Sequence, residues 1–372
     1  MIEYLEIRNT SRNIIGIIDT PQSIIWNSLY KSVGDFEIYI RATEANLNIL
    51  KVGYYVTRRD VDDVGIIEEV SVTFSLKKGR MIIASGRFAK SILDRRHIYN
   101  LNGNTNNPTI LNGNVEKAVR SLVESNAIKC KFDYGRNIGI LELGALSNLS
   151  ANIVDELGNP TQKQVSYANL LDYSDSVLEE YDMSSKIILS DEGKLQYIIY
   201  KGADRSVDNI DGNEPIIFSQ EFDNLLSSNY TFSRKKEKNT ALIGGQGEGL
   251  DRFYSILIKD VGLDRKEMFV NASSISKTYK DSNDEEKEYS SEEYEKLLIS
   301  QGRQELATKR KIETFSGGIN ITDGQFVLNR DFFLGDIVTI QDNELGKYIN
   351  ARVIETMEAQ DENGYSVSVE YE

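Results

Sequence analysis

Hydrophobic and polar residues alternate with a period of two over much of the chain. Phe36, Ile38 and Ile40 alternate with Glu37, Tyr39 and Arg41, the pattern of a strand with one buried face. Similar short runs at 3–8, 14–19, 24–28, 54–58, 66–71 and 80–85 are separated by turn residues such as Gly34-Asp35, Asp62-Asp63 and Lys77-Lys78-Gly79. Strands this short and closely spaced predict a first antiparallel barrel over residues 1–100.

The period then changes. The asparagine-rich stretch 101–113 reads as a loop. Asn114 is a candidate N-cap, and Val115, Ala118, Val119, Leu122 and Val123 recur on one helical face. A second helix is predicted by Tyr167, Leu170, Leu171, Ser174, Leu178 and Tyr181, with Ser166 before it. Strands return at 186–189 and 194–201, so 101–205 is expected to be an α+β middle domain. Strand patterns from Ile216 onward, at 239–244 and at 254–259, assign 206–271 to the start of a second barrel. An insertion is expected over 272–315: an acidic run from Asp281 to Glu295, with a helix opened by the capping-box residues Ser290 and Glu293. Residues 316–372 complete the second barrel, where Val367, Val369 and Tyr371 alternate with Ser366, Ser368 and Glu370. The expected fold class is mainly β with α+β insertions: two antiparallel β-barrels, a small α+β middle domain and a helical insertion.

Two distant segments echo each other. One reads Leu50-Lys51-Val52-Gly53-Tyr54-Tyr55-Val56-Thr57, followed by Ile67-Glu68 and Gly79. The other reads Phe332-Phe333-Leu334-Gly335-Asp336-Ile337-Val338-Thr339, followed by Ile354-Glu355 and Gly364. Chance is one reading, because Gly-x-x-Val-Thr is an ordinary way into a strand. Duplication is the other, and it predicts that the two barrels are related.

Charge and rare residues narrow the function. Lys and Arg total 43 against 58 Asp and Glu, a net charge of −15. That balance argues against a basic nucleic-acid binder and against docking on an anionic membrane. One cysteine, Cys130, and one histidine, His97, exclude a disulfide framework, a cysteine-rich zinc module and most histidine-based catalysis. No apolar run approaches the ~20 residues of a membrane span, and the first residues lack the regions of a secretory signal. The expectation is a reducing cytoplasm, or export as part of something larger.

Gly244-Gly245-Gln246-Gly247-Glu248-Gly249 invites a phosphate-loop reading. Counting from Gly245, the sixth place is Leu250, and no Gly-Lys-Ser/Thr follows, so the dinucleotide and P-loop patterns both fail. A sharp turn at Gly245, Gly247 and Gly249 is expected instead. His97 reads as a surface or partner-contacting residue and Cys130 as a half-buried strand residue. Adjacent acids such as Glu68 and Glu69 point to opposite faces of a strand and make no catalytic pair. The chain is expected not to be an enzyme, with no catalytic residue, metal ligand or cofactor.

The order of landmarks carries a resemblance. Trp26 is followed by Gly34-Asp35-Phe36-Glu37, Gly65-Ile66-Ile67-Glu68, Gly86-Arg87 and Leu93-Asp94-Arg95-Arg96. Gly202, Phe218-Ser219, the glycine turn with Arg252, Asp264-Arg265-Lys266-Glu267 and Leu334-Gly335-Asp336-Ile337-Val338 come later. From about residue 20 to the C-terminus, this order resembles the siphophage tail-hub (baseplate hub) proteins. That family is related to contractile-phage baseplate hubs and to the N-terminal part of type VI secretion spike proteins.

The resemblance implies a homotrimer with two similar barrels per subunit, hence a pseudo-hexameric ring at the virion tail tip, assembled in the bacterial host cytoplasm. Its implied partners are a tail tube or distal tail protein, the tape-measure protein and a tail-tip or receptor-binding protein. DNA passes through the lumen without specific binding. Trp26, Gly34, Asp35, Phe36, Gly245, Gly247, Gly249, Gly335 and Asp336 become structural motif positions. Arg87, Arg95, Arg96 and Arg252 become candidates for the subunit interface, because arginine pairs well with carboxylates there. Acids such as those of 281–295, if lumenal, would repel DNA phosphates. Relatives that carry a cell-wall hydrolase or fibre-binding part continue further, so those activities are expected in another protein. Two alternatives stay open: a carbohydrate-binding or cell-wall-acting tail protein with an aromatic-lined acidic cleft, and a cellular scaffold.

Overall fold

The computed structural model describes residues 1–102, 105–131, 133–155, 158–280, 285–320, 325–344 and 346–372. The chain forms two units. The first holds Met1–Ser91, Ser184–Thr231 and Glu313–Glu372; the second holds Ile92–Met183 and Phe232–Ile312. Antiparallel sheets dominate, and helices are few. Among the described residues, no helix is long and apolar enough to cross a membrane.

One long sheet organises the first unit. The eight strands of its main path are β1 (Ser23–Leu29), β2 (Asp35–Arg41), β3 (Glu69–Ser75), β4 (Gly79–Arg87), β5 (Asn229–Ser233), β6 (Ile312–Gly318), β7 (Lys347–Asp361) and β8 (Gly364–Tyr371). Their order is β5-β6-β8-β7-β1-β2-β4-β3. The first four and the last four follow the same path. The sheet is therefore one four-stranded motif used twice, joined where β7 pairs antiparallel with β1.

Each motif has its own core on the same principle. In the N-terminal one, strands Leu5–Arg8, Ile14–Ile18, Tyr55–Thr57 and Val64–Ile66 form a second sheet. It packs Leu5, Ile7, Ile18 and Val56 against Ile24, Trp26, Phe36, Ile38 and Ile82. In the C-terminal one, Ile217–Ser219 pairs with Ile337–Asp342, which also pairs with β7. Phe218, Val338 and Ile340 there meet Phe315, Val353, Val367 and Tyr371. These are the inward positions of the two-residue alternation, removed from water by the second layer.

The echo has a backbone counterpart. Gly53 and Gly335 both sit at positive φ, +86° and +95°. Their amides donate to the carbonyls of Ile67 and Val353, each at 2.8 Å. The following hairpins both turn at a glycine with positive φ, Gly79 and Gly364. Only glycine enters this region without steric cost.

Closure of two separate barrels was expected, and among the described residues no sheet closes on itself. The β7 edge of one motif and the β1 edge of the other satisfy each other, which leaves one continuous open sheet.

The second unit differs from the expected partition. Its three-stranded sheet places Thr240–Gly244 between Tyr254–Ile258, antiparallel, and Glu267–Asn271, parallel. Helices α1 (Val115–Val123), α2 (Leu170–Glu180) and α3 (Ser291–Ala307) belong to the same unit. Tyr294, Leu297, Leu298 and Leu306 of α3 pack on Ala241, Ile243, Leu257 and Val270. Residues 240–271 thus serve as the floor for α3 rather than as strands of the second motif, because the apolar stripe of α3 needs a partner. The hairpin Ser184–Leu189 with Leu195–Tyr200, expected in the middle domain, lies in the first unit.

Caps follow the sequence with one shift. Asn114 accepts from the amide of Lys117, and Ser290 and Glu293 form a reciprocal capping box. The start of α2 lies past Ser166: Tyr167 takes a φ of +64°, and Asn169 accepts from the amides of Leu171 and Asp172. The stretch 101–113, read as a loop, contains the strand Thr109–Asn112, paired with Gln162–Val165. Positions 281–284 of the acidic run lie outside the described residues.

Candidate functional site

The long sheet offers a face and two edges. Neither core reaches the alternate face. Register places Glu355 opposite both Leu29 and Glu370, Asp35 opposite both Asn27 and Arg87, and Ser85 opposite both Glu37 and Glu69. Ser316, Ser366 and Ser368 belong to the same set. The face mixes these acids and serines with Ile25, Leu29, Ile83 and Met357 and with Arg87, and its carboxylates Glu355, Glu370 and Asp35 gather beside the joint between motifs. Burial, then Glu370 and Asp35, push the Glu355 carboxyl above its usual range. Burial, then Glu37, do the same to Asp35. The acids repel one another across the β7·β1 joint.

The edges are β3 and β5, the two ends of the strand order. Both carry exposed apolar side chains: Val72 is 50% and Phe74 67% exposed on β3, and Phe232 is 50% exposed on β5. An edge strand with unpaired backbone groups and apolar side chains is a template for another strand.

Under the sheet, ionic contacts lock the motifs together. The Arg58 guanidinium, fully buried, makes two bonds to Glu358 at 2.8 and 3.0 Å and two more to Asp60, the one from Nε at 3.0 Å. It also lies 5.3 Å from the Trp26 ring, and the Tyr365 hydroxyl donates to Glu358 at 2.5 Å. Burial opposes ionisation of Asp60, and Arg58 outweighs it, holding that carboxyl below its usual range. Glu358 stands opposite Trp26 in the β7·β1 register, so this cluster sits at the joint itself. A polar cleft nearby holds several acids with internal partners. Asp62 pairs with Lys186 at 2.8 Å, Asp63 accepts from Ser28 at 2.6 Å, and Asp336 pairs with Arg205 at 3.0 Å.

The family positions fall at distinct structural tasks. Trp26 and Phe36 lie in the first core, with Trp26 also 4.9 Å from Phe88. Gly34 passes so close to the Asn27 carbonyl that a Cβ would stand 2.2 Å from its oxygen. Asp35 faces the acidic side. Asp336, 3% exposed, gathers the amides of Ala203 and Phe333 and the Arg205 side chain around the Gly335 turn. Gly247 has a φ of +103°, and a Cβ there would meet the Asp251 carbonyl oxygen at 2.3 Å. At Gly245 a Cβ would meet the Tyr294 hydroxyl at 2.6 Å, and Gly249 has a φ of +54°.

The four arginines divide between the two units. Arg87, in the first unit, makes two 2.9 Å bonds to Glu68. In the second unit Arg96 donates to the carbonyls of Arg136 and Arg95, and Arg95 is exposed. Arg252 bonds the carbonyls of Gly244 and Gly245 and the Asn271 side chain, clamping the glycine turn. His97 is exposed, with Nδ1 3.2 Å from the Tyr167 carbonyl oxygen. Cys130 is buried outside any strand, and burial raises its thiol pKa. Sequence reasoning missed the Arg58–Glu358 cluster, whose members lie 300 positions apart, and missed the acids of the open face.

The family model of siphovirus ReqiPepy6 Gp37-like proteins matches residues 4–371. The chain belongs to this family. No curated protein matches this siphovirus family member. Its fold is that of two solved tail proteins. One is a 43 kDa tail protein of prophage MuSo2 from Shewanella oneidensis, 10% identical, with a TM-score of 0.58 over 100% of this chain and 98% of that one. The other is a tail protein from Neisseria meningitidis, 14% identical, with a TM-score of 0.55 over 99% of this chain and 95% of that one.

Proposed function

We propose that this siphovirus family member is a structural tail-tip hub, three copies of which close into a ring between tail tube and tip. The β7·β1 joint carries the proposal. In the duplicated motif, β3 is the counterpart of β7 and β5 the counterpart of β1. Pairing β3 of one copy with β5 of the next therefore repeats between chains a junction that each chain already makes within itself. Both strands are free at the ends of the order and carry exposed apolar residues.

Heterologous contact of this kind generates a ring when its rotation closes. Three copies of the eight-stranded path supply twenty-four strands and six motifs. At roughly 4.8 Å per strand, the closed sheet would be about 37 Å across before strand tilt widens it. The cores lie on one face, so the acidic face lines the lumen. Its carboxylates repel passing phosphates. The tube or distal tail protein, the tape measure and a receptor-binding tip protein are the partners of such a ring.

No chemical step is needed. In the polar cleft, Asp60, Asp62, Asp63, Asp336 and Glu358 are all engaged with internal partners, which disfavours the carbohydrate-acting alternative. The test is the pair of substitutions Val72→Lys and Phe74→Lys, since lysine on an edge strand blocks edge pairing. Light scattering should show the ring mass for the native chain and a monomer for the double variant. An unchanged ring mass in the variant contradicts closure through β3.

A further inference from the structure

The second unit is electrically polarised along α3. This helix has 17 residues, about 25 Å at 1.5 Å per residue. Around its N-terminus, Glu286, Glu288, Glu292, Glu293 and Glu295 are exposed and outnumber the exposed Lys287 and Lys296. Past its C-terminus, Lys309 and Lys311 are exposed, and the Lys309 carbonyl accepts from the amide of Lys238, which brings in the loop holding the exposed Lys235 and Lys236. Lys259, at the end of the strand Tyr254–Ile258, joins the same end, because its amide donates to the Asn239 carbonyl. Within the helix itself Glu292 and Glu293 occupy the first turn, where the dipole favours acids, and the bases lie just past its last turn. Glu237, Asp264 and Glu267 at this end pair with Arg234, Lys266 and Arg265, and the exposed Lys235, Lys236, Lys259, Lys309 and Lys311 remain a basic surplus that suits an acidic partner.

Between the two ends the sheet turns an apolar face outward, away from α3. Leu242 is 39%, Ile256 50%, Ile258 50% and Phe269 52% exposed. Leu242 stands opposite both Ile256 and Phe269, so the patch is continuous. A contiguous apolar surface rimmed by charge is the composition of a protein interface.

We propose that this surface takes a second copy of the chain: the basic end and adjoining apolar face of one second unit receive the acidic end of its neighbour's second unit. The contact is heterologous, so each copy gives one end and receives one, as a three-membered ring requires. Charge sets the register and speeds encounter, and the apolar face supplies the affinity. The contact rests on the ring reading but uses no residue of the β3 or β5 edges.

The test uses the full-length chain and light scattering across protein concentration and salt. One variant reverses the basic end (Lys235→Glu, Lys236→Glu, Lys309→Glu), a second reverses the acidic end (Glu286→Lys, Glu288→Lys, Glu292→Lys), and a third carries all six. Each three-site variant should weaken self-association roughly tenfold to a hundredfold at low salt, and high salt should shrink the difference from the native chain. The six-site variant should recover much of the loss, because its ends are again opposite in sign. Circular dichroism melts confirm that each variant is folded. Three-site variants with native mass and native salt dependence overturn the contact; if Val72→Lys with Phe74→Lys still dissociates the ring, the hub reading survives. A folded six-site variant that stays as weak as the three-site ones also overturns it. So does a native chain that remains monomeric at low salt. Three-site variants that dissociate while Val72→Lys with Phe74→Lys does not would keep this contact and remove closure through β3.

Discussion

Replacing Glu358 by alanine strikes the joint between the two motifs. The Arg58 side chain is fully buried and keeps its charge, with Glu358 supplying two of its hydrogen bonds at 2.8 and 3.0 Å. Removing the carboxylate leaves the guanidinium with Asp60, whose side chain is 54% exposed, and with the Trp26 ring. Breaking a buried ion pair from one side costs about 3–5 kcal/mol when the charge is left uncompensated, and because Asp60 still bonds Nε and Nη2 the loss here should fall at the low end, about 3 kcal/mol. The Tyr365 hydroxyl loses its acceptor at the same time. For a unit of this size, 1 kcal/mol is worth about 2–4 °C, so the melting midpoint should fall by roughly 6–12 °C. Trp26 is the chain's one tryptophan and lies within this cluster, so its fluorescence reports the unfolding of this unit. Urea titration followed at that signal should show a lower midpoint with an unchanged slope. The double change Arg58→Met with Glu358→Met should recover a large part of the loss, because neither charge then remains buried. A loss below about 1 kcal/mol in Glu358→Ala would refute the argument that this pair locks the joint.

Other outcomes follow from single residues. Asp336→Ala removes the acceptor for two amides and for Arg205, and should cost about 2–4 kcal/mol in the same urea titration. Gly335→Ala places a Cβ at a φ of +95°, 2.4 Å from the Tyr30 ring, and should destabilise by more than about 1 kcal/mol; a neutral result would deny the turn its role. The raised carboxyl of Glu355 penalises the folded state at neutral pH. A folded pKa above the unfolded one means that this penalty is absent below the ordinary carboxylate range and complete above the raised value. Glu355→Gln should therefore stabilise the chain at pH 7, and the gain should vanish as pH falls through that window. A gain that persists at acid pH would point to packing instead.

The sequence displays local rules well. Strand alternation marked Phe36, Ile38 and Ile40 as inward, and each is buried. The capping box at Ser290 and the cap at Asn114 stand where their side chains can reach the first amides. The glycine echo was readable because a left-handed turn admits few residues. What was not readable is which strands share a sheet. The runs 217–219, 229–233 and 240–244 look alike in sequence, yet Thr240–Gly244 lies beneath α3 while β5 ends the long sheet. Alternation gives the buried face of a strand and not its neighbours. The acidic face was missed for the same reason: Asp35, Glu355 and Glu370 become neighbours only through register. The acidic run 281–295 drew attention because it is contiguous, and its described part lies in the other unit.

The central claim is ring closure through the free edges of a duplicated sheet. Cryo-electron microscopy of the purified chain, or of the tail tip that carries it, tests it most directly. The account predicts a threefold particle, three times the 42.1 kDa chain mass, with β3 of each copy hydrogen-bonded to β5 of the next and the acidic face inward. A ring in which both edges stay open to solvent, or a lumen lined by lysine and arginine, would contradict it.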